Sequence, residues 1–310
     1  MSLSERTPQQ THSRTIRITK KYSNSADCTL YNGDCLNLLK SIPSGAARLV
    51  VTSPPYNIGK EYEKKLDIEQ YVDQQRQVIE ESLRVLAEDG SICWQVGNYV
   101  ESGEIIPLDT MLYPIFRDLG LKMRNRIVWH FEHGLHCSRR FSGRYEVIAW
   151  YTRDTKHYFD LDPVRVPQKY PGKKCYKGPR AGEYSGNPLG KNPSDVWVIP
   201  NVKHNHVEKT DHPCQFPVEL VERLVLSMTE TGDLVVDPFM GVGSTAVAAI
   251  RNHRRAAGAD TVEDYLAIAK DRVVSAWDGS LRVRTRGKAV YEPKPTDKVA
   301  QRPGALGTSR

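Results

Sequence analysis

One stretch of sequence restricts the fold more than any other, namely "DLVVDPFMGVGSTAVAAI" at residues 233–250. Its apolar first part is typical of a buried strand, residues 237–243 form a tight loop, and small residues from Ser244 onward indicate a helix. Gly241 and Gly243 let the backbone turn sharply and approach a ligand, and the helix that follows offers unpaired amides. This order predicts an α/β unit with a ligand site at the loop.

The alternation of apolar strands and amphipathic helices continues through most of the chain. It predicts an α/β fold with a mostly parallel sheet and helices on both faces. The folded domain should comprise residues 23–154 and 200–278. The polar segment 1–22 and the basic segment 279–310 are predicted to be flexible. Residues 155–199, rich in Pro, Gly, Lys and Tyr, are predicted to form a loop-rich basic insert.

Charge and cysteine content narrow the classes of partner and compartment. The net charge of +7 fits a polyanionic partner such as a nucleic acid without requiring one. The six cysteines include no Cys-x-x-Cys pair, which argues against a zinc ribbon or a disulfide scaffold and favours reduced thiols in the cytoplasm. The sequence has no apolar run of about 18 residues, so we expect no membrane span.

The sequence of the loop at residues 237–243 matches neither of two common nucleotide-binding motifs. It lacks the Gly-Lys-Ser/Thr of a Walker loop and the complete Gly-x-Gly-x-x-Gly of a dinucleotide site. Asp237 would repel a pyrophosphate but could hold an ammonium group, so a cationic cofactor without phosphates fits better. Asp260 ends the next strand, at the distance from the loop where doubly wound folds bind a ribose.

The second informative stretch is "VVTSPPYNIG", which runs from Val50 to Gly59. Prolines lack a backbone N–H and cannot extend a strand ladder, so the apolar strand has to end at the Ser-Pro-Pro-Tyr quartet. The quartet places a hydroxyl, a rigid kink and an aromatic ring side by side. This combination indicates a loop that holds something flat and polar.

"TSPPY" together with "DPFMGVGS" resembles the S-adenosylmethionine-dependent DNA methyltransferases that modify exocyclic amino groups. The quartet precedes the glycine loop, an order that resembles the beta class of these enzymes, and the resemblance extends from about Thr29 to Val273. It implies a Rossmann-like methyltransferase fold, a catalytic domain formed by the two folded segments, and target recognition by the insert. It also implies S-adenosyl-L-methionine as cofactor and double-stranded DNA as partner, with the target base turned out of the duplex.

The resemblance also assigns cofactor contacts to individual residues. Asp34 in "NGDCLNLL" would contact the adenine amino group, and Asp260 would bind the ribose hydroxyls. The glycine loop would wrap the methionine part, and "DHPCQFP" would line the pocket. The implied cofactor-binding residues are Asp34, His212, Pro213, Phe216, Asp237, Phe239, Gly241, Gly243, Ser244 and Asp260.

The catalytic residues that the resemblance implies are Ser53, Pro54, Pro55 and Tyr56. An exocyclic amine is a poor nucleophile because its lone pair is delocalised into the ring. Acceptors aimed at its N–H groups favour a more tetrahedral nitrogen and stabilise the positive charge that develops during methyl transfer. Ser53 and the Pro54 carbonyl would be these acceptors, and Tyr56 would stack against the extruded base.

The residue at position 53 bears on the choice of base. In the family, Ser here mostly accompanies methylation of cytosine N4, and Asp mostly accompanies adenine N6. Ser53 therefore favours cytosine N4, whereas Asn57 is common in the adenine enzymes and keeps adenine N6 as the alternative. An RNA or protein methyltransferase and a non-catalytic DNA-binding protein are the alternatives from other classes. We expect a restriction-modification or phage–host DNA-modification context, in the cytoplasm of a bacterial or phage-infected cell.

Two further patterns point to other chemistries. Cys214 lies in Pro-Cys-Gln, which also marks the nucleophile of cytosine C5 methyltransferases. Since a Ser-Pro-Pro-Tyr motif is already present, we expect Cys214 to pack in the pocket rather than attack a base. His130, His133 and His136 lie near Cys137, but no matching ligand pair accompanies them, so we predict no metal site.

Basic residues interleaved with aromatic ones predict a DNA-binding surface. They lie in the loop "HGLHCSRRFSGR" and in the insert. A cognate restriction endonuclease and a second copy of the chain in a homodimer are left open as further partners. The residues predicted to bind DNA are Arg139, Arg140, Arg144, Lys169, Lys173, Lys174, Lys177, Arg180 and Lys191.

Overall fold

The strands of the protein form one large mixed sheet, seen in a computed structural model that describes residues 14–57, 66–132, 134, 136–294 and 296–297. Within these residues the sheet has nine strands, and a separate hairpin has two. The strands are β1 (Ile18–Thr19), β2 (Cys28–Asn32), β3 (Ala47–Thr52), β4 (Leu86–Val96), β5 (Asn98–Glu101), β6 (Glu104–Pro107), β7 (Lys122–His130), β8 (Tyr145–Thr152), β9 (Val196–Val198), β10 (Leu234–Asp237) and β11 (Arg255–Asp260).

Helices connect the strands and cover both faces of the sheet. They are α1 (Cys35–Ser41), α2 (Ile68–Val85), α3 (Leu108–Asp118), α4 (Val218–Met228), α5 (Ser244–Arg251) and α6 (Glu263–Trp277), with a short 3₁₀ helix at Asp162–Val164. The first three pack on one face, where Leu39 and Ile79 are fully buried. The last three pack on the other face, where Val225 and Val247 are fully buried. The core therefore has two apolar layers, one on each side of the sheet.

The strand order is β1-β2-β11-β10-β3-β4-β8-β7-β9. Neighbouring strands are parallel, except that β8 is antiparallel to both β4 and β7. The α/β fold with a mostly parallel sheet and helices on both faces, predicted from the sequence, is confirmed. β10 pairs with β3, so the strands that lead into the two sequence motifs are direct neighbours.

Local sequence explains where the first helices begin. Asp34 caps α1 by accepting a hydrogen bond from the Leu36 N–H at 2.7 Å, and Asp67 caps α2 by accepting one from the Gln70 N–H at 2.8 Å. The sequence places the end of α2 near Gly90, but the helix ends at Val85. Residues from Leu86 onward belong to β4, because pairing with β3 prevails over the local helical pattern.

The interval predicted as the insert, residues 155–199, is mostly irregular and exposed. Two isolated bridges give it internal order, one between Val166 and Lys191 and one between Lys174 and Tyr184. Its last part contains β9, which joins the edge of the sheet beside β7. The carboxyl-terminal end of the insert is therefore attached to the sheet. Among the helices that the structure describes, none has the length and apolar character needed to cross a membrane.

Candidate functional site

A cavity of about 590 Å³ opens at the edge of the sheet where β2, β3, β10 and β11 have their carboxyl ends. In open α/β sheets this edge is where ligands bind. The walls come from the turn after β2, the quartet after β3, one face of α2, the segment before α4, the glycine loop and the end of β11. Segments distant in sequence thus converge on one cavity.

The cavity brings together the predicted catalytic residues and most of the predicted cofactor-binding residues. All four residues of the quartet lie in its wall. Of the predicted cofactor-binding residues, Pro213, Asp237 and Gly243 do not line it. The predicted cofactor-binding residues that do line it are Asp34, His212, Phe216, Phe239, Gly241, Ser244 and Asp260.

The hydroxyl of Tyr56 forms hydrogen bonds with three side chains, namely those of Ser53, Glu146 and Gln95. Its oxygen lies 3.1 Å from Ser53 Oγ, and it donates a hydrogen bond to Glu146 Oε2 at 3.0 Å. Gln95 Nε2 donates to the Tyr56 hydroxyl at 2.6 Å and also to Glu146 Oε2. Burial and the neighbouring Glu146 carboxylate raise the pKa of Tyr56 well above its usual value. Tyr56 is therefore a neutral phenol at physiological pH.

Glu146 and Gln95 were not predicted from the sequence. They lie on the paired strands β8 and β4, where Trp94, Val96 and Val147 next to them are buried and apolar. Burial raises the pKa of Glu146 to about 7, although the hydrogen bonds from Tyr56 and Gln95 act in the opposite direction. A polar pair inside two apolar strands is the signal in the sequence that could have indicated them.

Gly97 follows β4 and leaves room for the ring of Tyr56. A Cβ atom at this position would lie 3.0 Å from Tyr56 Cε2 and 3.5 Å from Glu146 Cγ. Few real Cβ atoms approach a neighbour so closely, so glycine permits the ring to lie where it does.

Asn57, the residue after the quartet, has a structural role. It adopts a left-handed backbone conformation, with a φ of 60°. Its side-chain Nδ2 donates to the Leu66 carbonyl at 2.8 Å, and its Oδ1 accepts from the Leu66 N–H at 2.6 Å. Both ends of the amide therefore bind the backbone of a residue that lies beyond the undescribed segment 58–65.

Asp237 lies beneath the glycine loop rather than in the cavity wall. It is fully buried, and its carboxylate accepts hydrogen bonds from Thr52 Oγ1 at 2.6 Å, from Thr245 Oγ1 at 2.6 Å and from the Phe239 N–H at 3.1 Å. Burial raises its pKa to about 6. The expectation that Asp237 holds an ammonium group is not supported by this geometry, because its oxygens are engaged inside the protein. It joins β3, the loop and α5 instead.

The two loop glycines serve different purposes. Gly241 has a φ of 51°, lies in the cavity wall, and donates its N–H to Asp260 Oδ2 at 2.9 Å. Gly243 has a φ of 77° and begins α5, where a Cβ atom would lie 2.9 Å from the Cβ of Ala269. Gly243 therefore allows α5 and α6 to pack closely, while Gly241 allows the backbone to reach the cavity.

Two carboxylates, which follow the neighbouring strands β2 and β11, line the cavity. Asp260 accepts from Gly241 and, through Oδ1, from the Val262 N–H at 2.9 Å, and burial raises its pKa. Asp34 lies after β2 and caps α1. The lining includes no Lys or Arg among the residues that the structure describes. The cavity is therefore suited to a ligand that is cationic or polar but carries no phosphate.

His212 forms part of the wall that faces the glycine loop. Burial, with help from Lys209 and Arg272, lowers its pKa to about 4, so the ring is neutral at physiological pH. Its Nδ1 lies 3.2 Å from the Cys214 N–H, which places the ring proton on Nε2. Its ring meets that of Tyr265 edge to face, with 4.6 Å between centroids. Pro213, the next residue, is exposed to solvent.

The residues predicted to bind DNA lie at the surface, with Arg144 half-buried and the others exposed. Lys169 and Lys174 lie over the rings of Tyr170 and Tyr184, at 5.6 and 5.7 Å. Arg180 pairs with Glu183 at 2.9 Å, so this arginine is already engaged by an acidic neighbour. The exposed aromatics nearby include Tyr176, Tyr184 and, between Arg140 and Arg144, Phe141, which is 99% exposed.

The residues that pointed to other chemistries can be placed in the structure. Among the described residues, no group of three or more His, Cys, Asp or Glu side chains is arranged to hold a metal ion, and His133 lies outside those residues. Cys214 is exposed and lines the cavity, in contrast to Cys28 and Cys93, which are buried. Trp94 and Trp150 are buried core residues.

Comparison with known proteins relates the chain to DNA methyltransferases. The profile of the family described as "DNA methylase" matches residues 47–271. Over 77% of this chain and 67% of the relative, the sequence is 52% identical to the type II methyltransferase M.BglII of Bacillus subtilis. It is 40% identical to the type II methyltransferase M.ScaI of Streptomyces caespitosus, over 83% of this chain and 84% of that protein.

Solved structures of the same fold include two methyltransferases. A DNA modification methylase of Thermus thermophilus, solved in complex with S-adenosyl-L-methionine, has a TM-score of 0.58 and 28% identity, covering 81% of this chain and 96% of that one. The cytosine-N4-specific PvuII DNA methyltransferase has a TM-score of 0.65 and 21% identity, covering 87% of this chain and 96% of that one. The second likeness concerns the fold alone.

Proposed function

Because the chain belongs to the N6/N4 DNA methylase family, we propose that this DNA amino-methyltransferase acts on N4 of cytosine within a specific DNA sequence. S-adenosyl-L-methionine supplies the methyl group as an electrophile on a sulfonium centre. The observation that carries the choice of base is Ser53 at the first position of the quartet, facing the cavity. Asn57, which kept adenine open, binds the backbone of Leu66 with its amide, so loop closure explains its presence without reference to the base.

The cavity fits the cofactor by size and by charge. Its volume of about 590 Å³ lies within the usual range of roughly 300–1,000 Å³ for sites of this kind. Asp34 and Asp260 give it negative character, and the described lining contributes no Lys or Arg that would suit a phosphate. We assign the ribose hydroxyls to Asp260 and the adenine amino group to Asp34, with Phe239 and the Gly241 backbone beside them.

The quartet then prepares the target amine for attack. Ser53 Oγ and the Pro54 carbonyl accept hydrogen bonds from the two N–H groups, which draws the nitrogen lone pair out of conjugation and stabilises the developing positive charge. Pro54 and Pro55 restrict the backbone, so the carbonyl stays in place without reorganisation. Holding the nitrogen beside the reactive methyl supplies much of the rate.

The basic loop and the insert are assigned to DNA. Exposed lysines next to exposed tyrosines suit phosphates and unstacked bases, respectively. Extrusion of the base is required because the amine cannot reach the cavity from inside a duplex. Arg139 and Arg140 are exposed to solvent, whereas Arg180 forms an ion pair with Glu183.

The experiment that tests the base combines methyl transfer with nucleoside analysis. The protein is incubated with duplex DNA and S-adenosyl-L-methionine carrying a tritiated methyl group, and the digested DNA is separated by liquid chromatography and mass spectrometry. The label should appear in N4-methylcytosine. Label in N6-methyladenine would contradict the choice of base, and label on RNA or protein but not on DNA would contradict the function.

Two partners remain predictions that follow from the family context. Since the relatives M.BglII and M.ScaI are type II methyltransferases, we propose a restriction-modification role with a cognate endonuclease. Protection of methylated DNA from an endonuclease encoded beside this protein would test it. Sedimentation velocity, with and without DNA, tests the homodimer that the sequence leaves open.

A further inference from the structure

We propose that Glu146 sets the direction of a hydrogen-bond chain that ends on Ser53, and that this direction makes Ser53 an acceptor for the target amine. Glu146 is thus a positioning residue that acts through Tyr56 without touching the substrate. The inference rests on the proposed function of Ser53. It concerns a residue on β8, far in sequence from both motifs.

The geometry uses the full hydrogen-bonding capacity of the Tyr56 hydroxyl. A phenol has one proton to donate and can accept two hydrogen bonds. Tyr56 donates to Glu146 at 3.0 Å and accepts from Gln95 Nε2 at 2.6 Å. Its remaining contact is with Ser53 Oγ at 3.1 Å. Since the phenol proton is committed to Glu146, this contact has to be a hydrogen bond that Ser53 donates.

The direction of that last bond decides what Ser53 offers to the cavity. With its proton turned towards Tyr56, Ser53 Oγ presents lone pairs to the cavity. An exocyclic amine presents N–H groups, so a lone pair is what it requires. The ionised Glu146 therefore fixes a chain in which Ser53 donates to Tyr56 and Tyr56 donates to Glu146.

Protonation of Glu146 would permit the opposite direction. A neutral carboxyl group can donate its proton to the Tyr56 oxygen, and Tyr56 can then donate to Ser53. Ser53 would turn its own proton into the cavity, where it would face the N–H groups of the amine. Donor would meet donor, which is unfavourable in a partly buried site. Methyl transfer should accordingly need Glu146 in its ionised form.

The surroundings of Glu146 place this change near neutral pH. The groups that face its carboxylate are Tyr56, from the loop after β3, and Gln95, from β4. The Cys214 thiol, from the segment before α4, acts electrostatically on Tyr56. Burial outweighs the two hydrogen bonds and brings the pKa of Glu146 to about 7. Tyr56, whose pKa is raised further by burial, stays protonated throughout.

The test is the rate of a single turnover on duplex DNA, measured from about pH 5.5 to 9 with saturating cofactor. The wild-type rate should rise with pH, reach about half of its plateau near pH 7 and level off above about pH 8, and at pH 6 it should be roughly one tenth of the plateau. Glu146→Gln should lose this inflection but keep part of the plateau, because an amide oxygen can still accept from Tyr56. Glu146→Ala should lose the inflection and fall at least tenfold below Glu146→Gln.

Matched variants separate positioning from general damage. Glu222, on α4, is another buried glutamate and accepts a hydrogen bond from Asn252 Nδ2 at 3.2 Å. Glu222→Gln should keep the wild-type inflection in the pH profile. Cofactor affinity, measured by calorimetry, should stay within about twofold of wild type in Glu146→Gln, which also shows that the variant is folded. Tyr56→Phe interrupts the chain and should likewise abolish the inflection.

The outcomes distinguish this inference from the proposed function. If Ser53→Ala transfers methyl groups at the wild-type rate, the proposed role of Ser53 fails and the inference fails with it. If Ser53→Ala is slow but Glu146→Gln keeps the wild-type pH profile, the inference alone is overturned. A wild-type rate that is flat between pH 6 and 8 would also overturn it.

Discussion

Replacing Asp237 by Asn tests whether its buried carboxylate is a structural joint. Asn has almost the same shape but carries no charge. Its Oδ1 can accept from Thr52 and the Phe239 N–H as the native oxygen does, and its Nδ2 can donate to a rotated Thr245 hydroxyl. The loop should keep its position, so the variant removes the charge while leaving the joint in place.

The magnitude follows from the pKa of Asp237. Burial raises it from the ordinary 3.8 to about 6, so between these values the folded protein keeps a proton that the unfolded chain has lost. The free energy of unfolding therefore falls as pH rises through this window. The difference between the two pKa values corresponds to about 3 kcal/mol of unfolding free energy, since one pKa unit is worth about 1.36 kcal/mol. Asp237→Asn cannot titrate and should lack this loss.

The assay is urea unfolding, followed by tryptophan fluorescence, of wild type and Asp237→Asn at a series of pH values from about 4 to 7.5. Other titrating groups are shared by the two proteins, so the difference between their unfolding free energies isolates Asp237. Relative to Asp237→Asn, the unfolding free energy of the wild type should fall by about 2 to 3 kcal/mol as the pH rises across the series. A difference that stays constant within about 0.5 kcal/mol would refute the reasoning.

Cofactor affinity in the same variants tests the function of Asp237. Asp237→Ala leaves the Thr52 and Thr245 hydroxyls without their acceptor, which costs about 1–3 kcal/mol for each buried group, and it removes the stronger of the two acceptors of the Phe239 N–H, which releases the loop. Binding of S-adenosyl-L-methionine, measured by calorimetry, should weaken at least tenfold in this variant and stay near wild type in Asp237→Asn. Equal weakening in both variants would show that the charge itself contacts the cofactor.

Three other substitutions carry definite expectations. Gly97→Ala would place a methyl group 3.0 Å from the Tyr56 ring, so turnover should fall at least tenfold with cofactor affinity unchanged in a titration. Gly243→Ala combines a φ of 77° with a 2.9 Å approach to a methyl group of α6 and should lower the unfolding free energy by about 2–4 kcal/mol, against about 1–2 for Gly45→Ala, which has a φ of 71° and open space. Cys214→Ser should retain methyl transfer in the tritium assay, whereas a thiolate nucleophile would make it inactive.

The sequence predicted the parts of the molecule that obey local rules. Apolar runs and turn glycines belong to segments of a few residues, so the strand before the glycine loop and the helix after it could be placed from composition and spacing alone. The two motifs were assigned to one site by the family resemblance, and the parallel strands β3 and β10 bring their carboxyl ends to one edge.

What the sequence did not predict depends on contacts between distant segments. Glu146 and Gln95 meet Tyr56 only because β8 runs antiparallel beside β4, a pairing with no signature in either strand. The inward position of Asp237 depends on Thr52 and Thr245, whose hydroxyls lie in neighbouring elements. The end of α2 was placed too late, since pairing with β3 is a tertiary effect.

The place of β10 in the sheet has a consequence for the synthesis of the protein on the ribosome. β10 and β11 fill the space between β3 and β2, yet they are encoded after the basic insert. Until both have emerged, the nascent chain has two unpaired strand edges facing a gap, and closing it requires contacts of long sequence separation. The cofactor cavity, whose walls lie on both sides of this gap, is therefore completed only after β11 has emerged. An enzyme with this strand order cannot bind its methyl donor before the last strand of the sheet has been made.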